Sequence, residues 1–396
     1  MSLILDAIFS SVAFSHMIVD ILNGTRAVLL TFLSTPLGLS NAALGFISTL
    51  YIISAALIQP FFGYLADRVG ARWVVSGGVA WMGTFFALAL IIPGKTALVF
   101  LILASLGSGA FHPAGGMQAS VLGRTLYAGR ETSAASFFFL FGQLGYFFGP
   151  LLAGPLLQAF GPPGLLALVF WTAPVAWNAM RKLGKLAVPE ILKPVRQAQS
   201  RGIKLGAGLS IVIGFAGIAA CQSWAQQNIV TFVPKYLSDL GQSATSYGIV
   251  SAVFMGGSAL GNILGGQLAD RFGGRIVASL SLLFAVLPLF LIPEVAPSWL
   301  YILVPVAGFF TGATQSIIVV YGQHLVPGGM ALATGLVLGF TFSSGAIGTF
   351  FSGMIADVSG FSPVFHLSAG LALLAALLST RIFTSRPATG VEAPAT

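Results

Sequence analysis

Charge is scarce in this sequence. Only 7% of its 396 residues are Asp, Glu, Lys or Arg, and 56% are hydrophobic, whereas soluble domains carry about 25% charged residues. Such a composition excludes a soluble globular protein. Cysteine is nearly absent: Cys221 stands alone in an apolar run, so no intrachain disulfide can form. The four histidines are widely scattered, there is no HExxH, P-loop or GxSxG pattern, and no cluster of acids or cysteines suits a metal. These absences argue against an enzyme, a metal centre and any cofactor.

What is present is apolar length. A bilayer span needs about 20 apolar residues. Apolar runs bounded by charge, Pro and Gly fall near 7–33, 42–64, 73–92, 97–122, 133–157, 164–181, 207–233, 244–266, 276–293, 300–323, 331–354 and 364–381. The pattern predicts an all-α membrane protein of twelve transmembrane helices. The first run has no basic leader and continues past Arg26 as a full span, so no cleavable signal is expected. Forty-nine glycines in such a chain point to close helix approach rather than disorder. One long polar segment, "RKLGKLAVPEILKPVRQAQSRGIK", predicts a cytoplasmic linker over 183–206 between two six-helix bundles, 1–182 and 207–396.

The net charge of +8 raises the question of a polyanionic partner, which the placement of the charges answers. Arg68 and Arg72, Arg124 and Arg130, the series Arg181, Lys182, Lys185, Lys193, Arg196, Arg201 and Lys204, then Arg271 and Arg275, and finally Arg381 and Arg386 fall in every second loop and the C-terminal tail. This is the positive-inside signature, and it puts both termini in the cytoplasm. The partner it implies is the lipid bilayer, not nucleic acid.

An internal repeat organises the chain. "GYLADRVGAR" at 63–72 recurs as "GQLADRFGGR" at 266–275, an offset of 203 residues (266 − 63), and "GPLLAGPLLQAFG" at 149–161 is echoed by "GTFFSGMIADVSG" at 348–360. Parallel halves of this kind are one transporter architecture. In the G-x-x-x-D-R-x-G-x-R pattern, Gly63 and Gly266 would allow close packing. Asp67 and Asp270 would pair with arginine or accept from a helix N-terminus, and Arg68, Arg72, Arg271 and Arg275 would face headgroups. The loop resembles the signature loop of the major facilitator superfamily, present here in both halves. The resemblance implies alternating access, a substrate cavity between two bundles, and a conformational latch made by these eight residues.

The fifth span places Ser136, Gly145, Gly149, Pro150, Ala153 and Gly154 at the spacing of that superfamily's antiporter motif, with two glycines replaced by Ser136 and Ala153. Small residues one turn apart let a helix lie tight on its neighbour, and Pro150 predicts a bend. By resemblance the motif implies exchange; ordinary helix packing produces small-residue stripes as well.

Ionisable groups inside a bilayer are functional candidates by default, and of ten acids only Asp20 lies deep in a predicted span. At 100° per residue, His16 and Asp20 are about 40° apart, Asn23 lies about 20° from His16 on the other side, and Arg26 about 80° on that side. The four form one polar stripe. His16 and Asp20, one turn apart, can share a proton that is traded against substrate, or form a silent structural hydrogen bond to another helix. Arg26 either pairs with acceptors near Asp20, binds an anionic group of a substrate, or snorkels outward.

In the fourth span, "GSGAFHPAGG", Pro113 is expected to interrupt the helix beside His112. His16-x3-Asp20-x3-Gly24 together with Phe111-His112-Pro113 resembles the fosmidomycin-resistance branch of the superfamily, which implies drug export driven by inward proton flow. Ala114 stands where that branch typically has an acid, which leaves coupling to Asp20, His16 and His112. The seventh span carries "CQSWAQQN", in which Ser223 and Gln226 correspond to Asp20 and Asn23 at the repeat offset. The second half is thus polar but uncharged where the first is charged. Gln222, Trp224, Gln226 and Asn228, with Gln143, Gln315, Asn23 and Arg26, are the candidate substrate contacts. The expectation is a monomeric multi-pass protein of a bacterial inner membrane that exports a small organic or amphiphilic compound against protons. The alternative is an uncoupled or exchanging carrier for an organic anion that uses Arg26.

Overall fold

A computed structural model describes residues 6–126, 131–184, 205–325 and 330–383, and every regular element among them is helical. Most of the expected linker, with Lys185, Lys193, Arg196, Arg201 and Lys204, lies outside the described residues, as do Arg130 and Arg386. In chain order the helices are α1 (Ala7–Ser34), α2 (Asn41–Val69), α3 (Ala71–Ile91), α4 (Thr96–Leu126), α5 (Glu131–Phe160), α6 (Leu166–Val169) and α7 (Thr172–Leu183). They continue as α8 (Leu205–Asp239), α9 (Ala244–Phe272), α10 (Gly274–Leu291), α11 (Leu300–Gly312), α12 (Gln315–Leu325), α13 (Met330–Ser359) and α14 (Phe361–Ile382). Among the described residues twelve stretches are long and apolar enough to cross a membrane, the sixth (Pro162–Leu183) and tenth (Pro297–Gln323) each being composite.

Local chemistry sets these boundaries. Asp6 starts α1 by accepting from the amides of Ile8 and Phe9 at 2.9 and 2.8 Å. The sixth span breaks between α6 and α7 because Pro174, in the first turn of α7, cannot donate and crowds the carbonyl four residues back. In the tenth, the Ser316 amide at the start of α12 is taken by Asn262 Oδ1 at 3.0 Å instead of by a carbonyl of the preceding turn. The signature loop turns on its second glycine: Gly70 and Gly273 have φ of 90° and 88° and join α2 to α3 and α9 to α10. Close packing does not demand glycine at 63, where a methyl group would meet only Pro113 Cβ, at 3.6 Å.

The helices form two compact units. The first comprises Met1–Arg196, Val230–Ala252 and Thr349–Asp357; the second comprises Gln197–Ile229, Val253–Gly348 and Val358–Thr396. In the first unit α1 is central, packed by α5, α4 and α7 and buried along most of its length. Its polar stripe therefore faces protein and not lipid. α5 comes close because it offers glycine: methyl groups at 142, 145 and 149 would all collide with α1.

Two further seams in the first unit explain the second sequence echo. A methyl on Gly45 would lie 2.8 Å from Thr349 O and one on Gly353 2.9 Å from Ala42 Cα, so the start of α2 lies directly on the end of α13. There Asp357 accepts from the Asn41 and Ala42 amides at 2.7 and 2.9 Å, capping α2. The end of α5 meets the start of α9 in the same way: Gly248 would bring a methyl 2.7 Å from Pro150 O, and Gln158 Oε1 accepts from the Thr245 amide at 3.2 Å. Gly154 and Gln158 correspond to Gly353 and Asp357 in the echo. In the second unit, α9 and α11 are zipped by Gly257, Gly261, Gly308 and Gly312, each against partner backbone. The apolar core there gathers Phe215 and Ile218 of α8, Leu282 of α10, Ile318 of α12 and Ala375 of α14.

Candidate functional site

The stripe on α1 is fully enclosed. His16 and Asp20 are each 2% exposed, Arg26 5% and Asn23 7%. His16 lies flat on Phe138 of α5, with ring centroids 4.0 Å apart, and its Nδ1 is 2.7 Å from the Phe138 carbonyl oxygen. A carbonyl only accepts, so Nδ1 carries a hydrogen and donates it. That leaves Nε2 facing Asp20 Oδ2 at 3.0 Å. The same arrangement occurs from α4: His112 Nδ1 donates to Ser108 O at 2.8 Å, and its Nε2 faces Asp20 Oδ1 at 3.4 Å.

Two imidazoles thus present the same nitrogen to one carboxylate. Were Nε2 bare, its lone pair would oppose those of the oxygen, so the 3.0 Å contact requires a bridging proton and the longer one can do without it. The donor atoms of the three side chains lie within 4.8 Å of one another, close enough to share a single small cation. Gly142 makes the arrangement possible: a methyl there would sit 2.5 Å from His16 Cε1, 2.6 Å from its Nε2 and 2.8 Å from Asp20 Oδ2. Of the three side chains His112 is the accessible one, at 27% side-chain exposure. The expected interruption at Pro113 is corrected: α4 runs unbroken through it, and His112 is held by a carbonyl of its own helix, not beside a helix end.

Hydrogen bonds continue past the acid. Asn23 Nδ2 donates to Asp20 Oδ1 at 2.8 Å and to Ser108 Oγ at 2.9 Å, while its Oδ1 accepts from the Tyr51 hydroxyl of α2 at 2.7 Å. The Tyr51 ring in turn lies under the Arg26 guanidinium, 5.0 Å from centroid to Cζ. Arg26 Nη1 donates to Ser48 O at 3.2 Å and its Nε has no partner. Among the described residues no carboxylate is within ion-pair distance of Arg26. It therefore neither pairs with Asp20 nor snorkels outward. Tyr51, Ser108 and Gly142 escaped sequence reasoning, Tyr51 because an aromatic in the apolar run "TLYIISAAL" reads as core.

The candidates of the seventh and tenth spans belong to the second unit, the cluster around Asp20 to the first. Gln222 Nε2 bonds Gln226 Oε1 at 3.1 Å and Thr311 O at 3.0 Å, and Gln226 donates to Ser258 Oγ at 2.9 Å. Trp224 packs where Gly348 of α13 leaves room, and Gln315, half-buried, opens α12. Asn228 is 0% exposed and donates to Ser368 Oγ of α14 at 3.0 Å, so its amide joins two helices. Gln143 lies half-buried on α5 beside Gly142.

Gly145 and Gly149 back onto α1, and Gly154 onto the start of α9, while α5 continues through Pro150 without a break. In the loop motif, Arg68, Arg72 and Arg271 cover Tyr64, Trp73 and Phe272 at 4.9, 4.9 and 5.2 Å, and Arg72 Nε also reaches Met180. Among the described residues neither Asp67 nor Asp270 forms an ion pair.

Comparison with known proteins places these features. The Major Facilitator Superfamily sequence model matches residues 12–181 and 215–396. The fosmidomycin resistance protein of Escherichia coli (strain K12) is 26% identical over 384 residues, covering 93% of this chain and 91% of that protein. An uncharacterized MFS-type transporter of Bacillus subtilis (strain 168), YfnC, is 29% identical over 374 residues, covering 91% and 89%. Among solved structures, the nucleoside transporter NupG superposes with a TM-score of 0.74 at 15% identity, covering 95% of this chain and 98% of that one. A D-xylose-proton symporter gives 0.74 at 17%, covering 97% and 99%.

Proposed function

This chain belongs to the major facilitator superfamily, and on that premise we propose that it exports a small organic or amphiphilic compound in exchange for protons. It is a transporter and not an enzyme, an integral multi-pass membrane protein. The observation that carries the coupling is the placement of Asp20 between His16 Nε2 and His112 Nε2 at 3.0 and 3.4 Å inside the protein. A lone buried carboxylate is costly in a membrane unless paired or protonated, and two imidazoles with their other nitrogens committed can deliver and withdraw the proton. His112, the more accessible, exchanges it with water, and His16 holds the acid in place. The name of the fosmidomycin resistance protein supports outward movement of a foreign small molecule.

In this reading substrate is met by Arg26, Asn23, Gln143, Gln222, Trp224, Gln226 and Gln315. Asn228 is left out because it is 0% exposed and its Nδ2 is engaged with Ser368. The paired loops with Asp67, Arg68, Arg72, Asp270, Arg271 and Arg275 latch the cytoplasmic side. The monomer sits in a bacterial inner membrane with both termini in the cytoplasm, supported by the alternation of basic loops.

The test is transport in proteoliposomes, using a compound selected by thermal-shift screening at two pH values. Asp20→Asn is expected to abolish the response to an imposed pH gradient; a full response in that variant removes the proposal. A second reading, an uncoupled or exchanging carrier for an organic anion, is favoured by the unpaired guanidinium of Arg26. Intact anion uptake by Arg26→Ala sinks that one.

A further inference from the structure

We propose that Asn23 and Tyr51 form a hydrogen-bond switch that converts protonation of Asp20 into a freed phenol hydrogen beside Arg26. The inference rests on the reading that Asp20 takes up the coupled proton. It arises from the two unlike ends of one amide. Asn23 Nδ2 can only donate and its Oδ1 can only accept, and the two point at different partners: Nδ2 at Asp20 Oδ1, 2.8 Å away, and Oδ1 at the Tyr51 hydroxyl, 2.7 Å away. This orientation suits an ionised Asp20. The carboxylate oxygen accepts, and the Tyr51 hydrogen is held on the amide oxygen.

The proton path leads to the same oxygen. His112 is the accessible imidazole, and its Nε2 faces Oδ1, whereas His16 faces Oδ2. Transfer from His112 breaks Nε2–H and forms Oδ1–H; His112 is left neutral, its Nδ1–H still on Ser108 O. While His112 Nε2 is bare it accepts that hydrogen back; once the exposed imidazole takes a further proton from water, its Nε2–H occupies that side of Oδ1 and the acid hydrogen turns to the Asn23 NH2, donor against donor. Rotating the amide half a turn resolves the conflict, with its carbonyl accepting from Asp20 and its NH2 donating to the Tyr51 oxygen. The phenol hydrogen, no longer held, can turn to a group seated at Arg26. Ser108 Oγ, the other partner of Asn23 at 2.9 Å, tolerates both orientations because a hydroxyl donates or accepts.

Few other charges compete for the switch. On α1 Asp20 faces His16 and Asn23, with Arg26 beyond them; α4 contributes His112; α2 contributes Tyr51. From α5, Tyr146 is near enough to interact electrostatically with Asp20, Arg26 and Tyr51, and the contacts nearest the acid are glycines. Among the described residues no ionisable group of α3 or α7 lies within ion-pair distance of Asp20.

The test is acid-induced infrared difference spectroscopy on the purified full-length protein, with no ligand required. In wild type, a protonated-carboxyl band that vanishes in Asp20→Asn is expected to rise together with a tyrosine band and a side-chain amide band. Tyr51→Phe, which keeps the ring under Arg26, is expected to lose the tyrosine component and retain the carboxyl band; Asn23→Leu is expected to do the same. A carboxyl band without any tyrosine change in wild type, or a tyrosine change that persists in Asp20→Asn, overturns the switch while leaving proton uptake at Asp20 intact. Absence of the carboxyl band in wild type overturns the proton reading and the switch with it.

Discussion

Gly142→Ala is the smallest change that can disable the proton cluster without touching any of its polar groups. The added methyl would lie 2.5 and 2.6 Å from the His16 ring and 2.8 Å from Asp20 Oδ2, where non-bonded carbon atoms prefer about 3.5–4.0 Å. A retreat of about 1 Å is therefore required. The ring is badly placed to give it, being stacked on Phe138 at 4.0 Å and bonded to that residue's carbonyl at 2.7 Å. Overpacking of this kind costs about 1–3 kcal/mol. If the strain is relieved by opening the His16–Asp20 contact, a charge-assisted bond worth about 1.5–3 kcal/mol is lost instead. Either way, Gly142→Ala is expected to lower thermal stability in detergent and to shift or erase the pH dependence of transport in proteoliposomes. Gly116→Ala is the control, since its methyl meets only Phe138 Cε1 at 3.8 Å; its stability is expected to stay within about 0.5 kcal/mol of wild type. Wild-type stability and an unchanged pH profile in Gly142→Ala would refute the geometry of the cluster.

Three other substitutions probe different links. Asp357→Asn weakens the acceptors of the Asn41 and Ala42 amides; a cap worth about 1 kcal/mol corresponds to about a fivefold loss of hydrogen-exchange protection at those two amides, and unchanged protection would count against the seam. Asn228→Ala removes the bond to Ser368 inside the second unit and is expected to cost about 1–3 kcal/mol in thermal melts while sparing transport; a selective transport defect would return Asn228 to the substrate path. Arg26→Met deletes a buried cation that has no acid partner among the described residues, so stability should hold or rise while anion binding falls. A large loss of stability would show that the guanidinium is structural.

Much of the fold could be read in the sequence because lipid leaves few solutions. Backbone groups in hydrocarbon must be satisfied within helices, so twelve apolar runs became twelve helical spans, and the repeated loop marked equivalent turns in both halves. Breaks in the sixth and tenth spans escaped notice because they depend on Pro174 and on an amide captured by Asn262 from another helix. The Pro113 expectation failed for a related reason: a proline removes one backbone bond, and the rest of α4 carried the helix through.

By itself the sequence determined that His16, Asp20, Asn23 and Arg26 share a stripe, because helical period fixes which residues lie on one face. It also singled out Asp20, since a deep acid is costly wherever it occurs in a membrane. Only tertiary structure decided what that face meets. α4 brought His112 to one carboxylate oxygen, α5 withdrew behind Gly142 to leave room for His16, and α2 set Tyr51 between Asn23 and Arg26. Periodicity orders residues along one helix; the contacts that turn a polar stripe into a proton site form across helices, where no local pattern records them.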